Sequence, residues 1–250
     1  MFAAGSAAAA TQGHRAQAAQ VSRPGGPMIR SAGGSAVPLA GRAGITNAVG
    51  STNWSGYAAT GGPFTTVSAT WVEPTGTCTG GHKYSSFWVG LDGFSSGTVE
   101  QTGSEVDCSG GRAVYYSWYE MYPAFPVNFS NTVRHGDHFS GSVTFSGTST
   151  FTLVLSDSTQ GWSHTITASL SGAARSSAEA IAEAPSSSGA VLPLANFGTV
   201  NFSAAKANGS AIGNFNPTEI IMVNNSGQAK DSVSSLSGGT TFSATWLRSN

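Results

Sequence analysis

Between Ser85 and Pro123 the side chains change character at every second residue, and this period of two restricts the fold more than any other feature of the chain. In SSFWVGLDG, an extended strand puts Phe87, Val89 and Leu91 on one face and Ser86, Trp88, Gly90 and Asp92 on the other. In AVYYSWYEMYP the same rule groups Tyr116, Trp118, Glu120 and Tyr122, with Tyr115, Tyr119 and Met121 opposite. One face of each strand suits a core. The other mixes Trp, Tyr, Asp and Glu, an unusual choice for an exposed face unless something binds there.

The rest of the chain follows the same rule in shorter pieces. STNWSGYAAT is a strand carrying Trp54 and Tyr57, and GGP turns it into FTTVSATWVEP. There Val67, Ala69 and either Trp71 or Val72 face inward, and Pro74 ends the strand. HFSGSVTFS, TFTLVLSDS, WSHTITASL, NFGTVNFSAA, TEIIMVNN and TFSATWL follow, separated by turn signals such as NGS, SGG and SGT. Charged residues are only 9% of the chain, and the balance is made up by Gly (33 residues), Ser and Thr, which are weak helix formers. The one helix candidate is SGAARSSAEAIAEA. Its helical apolar face would be Ala alone, whereas a strand puts Glu179, Ile181 and Glu183 on one face, and a strand is predicted. The expected fold over 51–250 is all-β: a two-sheet antiparallel β-sandwich of the concanavalin A-like or jelly-roll type.

Residues 1–50 are low-complexity and carry Arg15, Arg23, Arg30 and Arg42 with no acidic residue, a charge of +4. The remaining 200 residues hold seven basic and twelve acidic side chains, a net of −5. The opening MFAAGSAAAATQGH resembles the end of a secretory signal, although it lacks a basic start and a full apolar stretch. Residues 1–50 are therefore expected to be a signal remnant and pro-segment, and the chain a secreted monomer. Four scattered arginines without aromatics or amphipathic period argue against nucleic-acid or membrane binding. With few carboxylates to protonate, the domain is expected to tolerate acid. In a secreted β domain Cys78 and Cys108 would pair, closing a loop that contributes about 3–4 kcal/mol on the chain-entropy model.

Several motifs carry no chemistry on inspection. Gly93-Phe94-Ser95-Ser96-Gly97 matches a hydrolase elbow in letters only, since TVEQTG rather than a helix follows it. His135-Gly136-Asp137-His138 reads as a polar turn, and no metal or cofactor is expected. Sequons at Asn53, Asn128, Asn201, Asn208 and Asn224 are compatible with a surface position. Carboxylates are the serious candidates. Glu179 and Glu183 share a strand face, but four residues set their backbones about 13 Å apart, too far for a glycosidase pair at about 5–9.5 Å. Across strands, either could approach Asp92, Gln101 or Glu120. Gln101 stands out because its amide donates a hydrogen bond at any pH, so it could hold an oxyanion while a neighbouring Glu activates water. A carbohydrate-binding sandwich module using Trp54, Trp88 and Trp118, or a sandwich glycosidase using two of Glu120, Glu179 and Glu183, would draw on the same residues.

One further pattern joins these segments. TNWSGY (52–57), WVEP (71–74), SSFWVGLDG (85–93), VEQTG (99–103), YYSWYEMYP (115–123), Gly136-Asp137, SSAEAIAE (176–183) and LANFGTVNF (194–202) occur in the order found in the glutamic peptidases, or eqolisins, which the chain resembles over Thr52–Trp246. The resemblance implies acid endopeptidase chemistry on protein or peptide substrates. It implies that Glu183 is the general base and then the proton donor to the leaving amine, with Gln101 stabilising the oxyanion. It also implies a substrate cleft formed by Trp54, Trp88, Asp92 and Glu120, and a propeptide in the basic leader. Two departures are local: Ala180 replaces the usual Trp of AEWI, and Cys78 lies further upstream of FWVG than in fungal members.

Overall fold

The computed structural model describes Val37–Pro38 and residues 48–250. The remainder of the expected leader lies outside the described residues. Two large sheets face each other, with no α-helix among the described residues and a single 3-10 turn at Ile212–Phe215.

The first sheet has nine strands. In spatial order they are β1 (Val37–Pro38), β2 (Ala48–Ser51), β17 (Thr218–Met222), β3 (Trp54–Thr60), β12 (Ser177–Glu183), β5 (Lys83–Leu91), β6 (Val99–Ser109), β7 (Arg112–Tyr122) and β8 (Val127–Asn128). All pairings are antiparallel except that of β2 with β17. The second sheet runs β11 (Trp162–Ser169), β10 (Thr150–Asp157), β9 (His138–Gly147), β4 (Thr66–Val72), β15 (Thr199–Ala207), β19 (Phe242–Trp246) and β18 (Asp231–Val233), with β16 (Ser210–Ala211) beside β15. A small hairpin, β13 (Ser186–Ser187) and β14 (Ala190–Val191), stands apart. The helix candidate is thus a strand over Ser177–Glu183.

The alternation read from the sequence becomes the layering of the protein. Phe87, Val89, Leu91, Tyr115, Tyr119 and Met121 face the core between the sheets, where they meet Val143, Leu153, Phe202 and Phe242 from the second sheet. In β4 the inward residue is Trp71, while Val72 is 36% exposed. Ala178, Ala180, Ala182 and Ala184 also face this core, so the Ala that departs from AEWI packs between the sheets and not in the site. The opposite face of the first sheet is buried too. There Trp54, Trp88, Trp118, Val99 and Ile181 form a second apolar cluster, edged by Phe94, Tyr116 and Tyr122. The polar aromatic face that the sequence suggested for the surface is therefore a second interior, with Trp88 and Asp92 fully buried.

Glycine makes this closeness possible. A Cβ at Gly103 would lie 2.2 Å from the Phe87 carbonyl oxygen and 2.6 Å from the Trp88 Cβ, so no other residue fits beside Trp88. The Cys78–Cys108 disulfide is formed, with Cα atoms 5.3 Å apart, and ties the approach to β5 to the end of β6.

Candidate active site

Strand register places the candidate residues in three cross-strand rows on the second buried face. One row runs Trp54, Glu183, Ser86, Glu105 and Tyr116. The next runs Gly56, Ile181, Trp88, Gly103 and Trp118, and the third Ala58, Glu179, Gly90, Gln101 and Glu120. Trp54, Trp88, Gln101, Glu120 and Glu183 thus share one face, and each is 0% exposed. Gln101 and Glu183 lie two rows and two strands apart, a backbone offset of about 13 Å along the strands and about 10 Å across them.

Trp88 occupies the row between. Its Nε1 donates to Glu183 Oε2 at 2.9 Å. The far edge of its indole lies over Gly90, where an added Cβ would meet Trp88 Cζ3 at 2.9 Å and Gln101 Cβ at 3.1 Å. A single rigid side chain therefore reaches from the carboxylate to the row of the amide. Trp54 braces it edge-on, with ring centroids 4.9 Å apart. Gln101 Nε2 donates to Glu120 Oε2 at 3.1 Å, directly across the β6–β7 ladder.

Glu183 has a second partner that the sequence did not single out. Asn53 Nδ2 donates to Glu183 Oε1 at 3.3 Å, and the Ser51 hydroxyl donates to Asn53 Oδ1 at 3.1 Å. The sequon at Asn53 is compatible with a surface position, but the residue is 1% exposed, drawn inward because β3 pairs with β12 and aims the residue before Trp54 at the carboxylate. The signal was present in TNWSGY, where Asn precedes the Trp of a cleft motif. Two N–H donors therefore hold the carboxylate in one orientation.

Asp92 has a different setting from the others. It sits at the end of this face with φ 70°, and its carboxylate accepts from the Arg175 and Ser176 backbone N–H groups at 2.6 and 2.8 Å. The Ser96 and Ser176 hydroxyls, each 3.0 Å away, complete its partners. Asp92 braces the 92–97 turn against the approach to β12, and the GFSSG motif is that turn.

Charge is one-sided here. Glu105, Glu120, Glu179 and Glu183 occupy the three rows, and no Lys or Arg does. Burial and then the charges of Asp92 and Glu100 hold Glu179 well above the usual carboxylate range. Glu100, on the core side of β6, is pushed up to about 8 by burial and then by Asp92. Among the described residues no group of three His, Cys, Asp or Glu side chains could hold a metal ion.

Comparison with known proteins matches these strands to one family. The model of the peptidase A4 family covers residues 52–246. Aspergillopepsin-2 of Aspergillus niger is 30% identical over 196 residues, which span 68% of this chain and 70% of that protein. A crystal structure of scytalido-glutamic peptidase with a transition-state analog inhibitor aligns with a TM-score of 0.70 at 26% identity, covering 78% of this chain and 98% of that one. The structure of SCP-B, a member of the eqolisin family in complex with the tripeptide Ala-Ile-His, aligns with a TM-score of 0.64 at 26% identity over the same shares. The carbohydrate-binding and glycosidase readings give way to this match: the chain belongs to the peptidase A4 family, the eqolisins, and is a glutamic peptidase.

Proposed function

We propose that this peptidase is a secreted, acid-active endopeptidase that works as a monomer, with Glu183 as general base and Gln101 as oxyanion donor. The observation that carries the reading is the Glu183 carboxylate, held by Trp88 and Asn53 on the sheet face that also presents Gln101. Glu183 takes a proton from water, whose oxygen attacks the scissile carbonyl. The Gln101 amide stabilises the oxygen that gains the negative charge, and it does so in acid because an amide does not titrate there. Glu183 then returns the proton to the leaving nitrogen as the C–N bond breaks. Trp54, Trp88 and Glu120 form the substrate walls, with Asp92 behind them. Among the described residues Trp54 Nε1 is buried without a hydrogen-bond partner and is a donor that a peptide carbonyl would satisfy. A peptide occupant is in keeping with the tripeptide bound to SCP-B.

Secretion is supported by the Cys78–Cys108 disulfide, since such bonds persist in oxidising compartments. Residues 1–50 serve as the pro-segment. Their charge of +4 against −5, the full burial of the catalytic face, and the pairing of Val37–Pro38 with Val49–Gly50 at the edge of the catalytic sheet all favour that role. The test is casein digestion near about pH 3 with pepstatin present, comparing the wild type with Glu183→Gln. Loss of the base should lower kcat by about 10²–10⁴-fold. Equal activity of the two proteins would rule the assignment out.

A further inference from the structure

Glu179 has no part in the chemistry above, yet it lies in the same cross-strand row as Gln101 and Glu120. Gly90 separates it from Gln101, so no side chain stands between them except the edge of Trp88 that lies over the glycine. Glu179 is fully buried, and among the described residues the Ser177 hydroxyl is the one donor that favours its charged form. A buried carboxylate with so little hydrogen bonding is costly, whereas the neutral acid is tolerated. We propose that Glu179 is a positioning residue of the active site: as a neutral carboxyl it leaves the Gln101–Glu120 pair undisturbed, and its ionisation closes activity on the alkaline side. This rests on the Gln101/Glu183 chemistry proposed above.

The surroundings leave the neutral form in place well past the acid range. Among the described residues the ionisable groups around Glu179 are all acids: Asp92 at the end of β5, Glu100 through the backbone of β6, Glu120 across the row and Glu183 along β12. Beside it β3 presents Ala58. Of the strands packed behind β12, β4 has no ionisable residue and β15 has only the exposed Lys206. Burial and the two nearest acids act in the same direction on Glu179, and Ser177 offsets only a part.

The consequence for catalysis is electrostatic. A negative charge at Glu179 would sit two strands from Gln101, about 10 Å at the backbone. It would oppose the oxyanion forming on the Gln101 amide. At the effective dielectric of a protein site this slows the chemical step on the order of tenfold or more. Substrate affinity depends less on that oxyanion, so the effect belongs to kcat.

The experiment follows kcat and KM against pH for the wild type, Glu179→Gln and Glu179→Met, with circular dichroism recorded at each pH to separate inactivation from unfolding. Both variants are neutral at every pH and close to Glu in size. They are expected to retain acid activity, and the alkaline limb of kcat should move to higher pH while KM stays near the wild-type value. Glu73→Gln, a buried acid outside the site, should leave that limb where it is. Superimposable kcat limbs in wild type and Glu179→Gln would overturn the inference, as would failure of both neutral variants to fold in acid where the wild type folds. If Glu183→Gln retains full activity, the dyad reading fails and takes this inference with it. If Glu183→Gln is inactive and the limbs superimpose, only the role of Glu179 is lost.

Discussion

Replacing Glu73 with Gln should make the protein far less sensitive to neutral pH. Glu73 continues the inward series of Val67, Ala69 and Trp71, so the period of two delivers a carboxyl to the core at the end of β4. Its backbone is pinned on both sides, donating to the Asp137 carbonyl at 2.9 Å and accepting from Gly136 N–H at 2.8 Å. Burial, and then the nearby charges of Asp137 and Asp157, raise its pKa to about 8, with Ser104 offsetting a part. Below the unfolded value of 4.5 the acid is neutral in both states and costs nothing. As pH rises, the unfolded chain ionises first, and stability falls until the folded carboxyl ionises as well. Between about pH 3.5 and about pH 7.5 the linkage amounts to about 4 kcal/mol, an upper figure for a site that can relax. Chemical denaturation of wild type and Glu73→Gln at those two pH values measures it. The variant should match the wild type in acid to within about 1 kcal/mol and lose several kcal/mol less on going to neutrality. Equal losses in the two proteins would refute the reasoning.

Two other substitutions probe the scaffold and the site. Converting both Cys78 and Cys108 to Ser should lower stability by about 3–4 kcal/mol, read as a shift of the denaturation midpoint, because the bridge closes a separation of 30 residues. Trp88→Phe keeps the aromatic bulk but removes the 2.9 Å donor to Glu183. A hydrogen bond to a charged group is worth about 1.5–3 kcal/mol, so kcat should fall about tenfold to a hundredfold with little change in fold. Unchanged kcat in Trp88→Phe would mean that the indole only fills space.

The sandwich was legible because alternation is a local property. Each strand of the Ser85–Pro123 stretch declares its two faces by parity, and the same parity made Ser177–Glu183 a strand although its alanines favour helix. Gln101 stood out by its amide and Trp88 by parity, and the roles proposed for Gln101 and Glu183 came through the order of the motifs, not through spacing. The residues that escaped were those whose role depends on a distant strand. Asn53 and Glu183 are 130 positions apart and meet only because β3 pairs with β12. For Glu179 the sequence left Asp92, Gln101 and Glu120 open as cross-strand neighbours, and the register through Gly90 of a third strand puts it in the row of Gln101 and Glu120.

What the sequence by itself determined is parity: which side chains share a face, and which cysteines can meet. What only the tertiary structure decided is register and depth. It turned an aromatic face suited to the surface into a second interior. It made Asp92 a brace for the turn, and it set Trp88 between the carboxylate and the amide. The physical reason is that a period of two assigns each residue to a face. The position of one strand along another is set instead by packing and ladder hydrogen bonds between segments far apart in the chain.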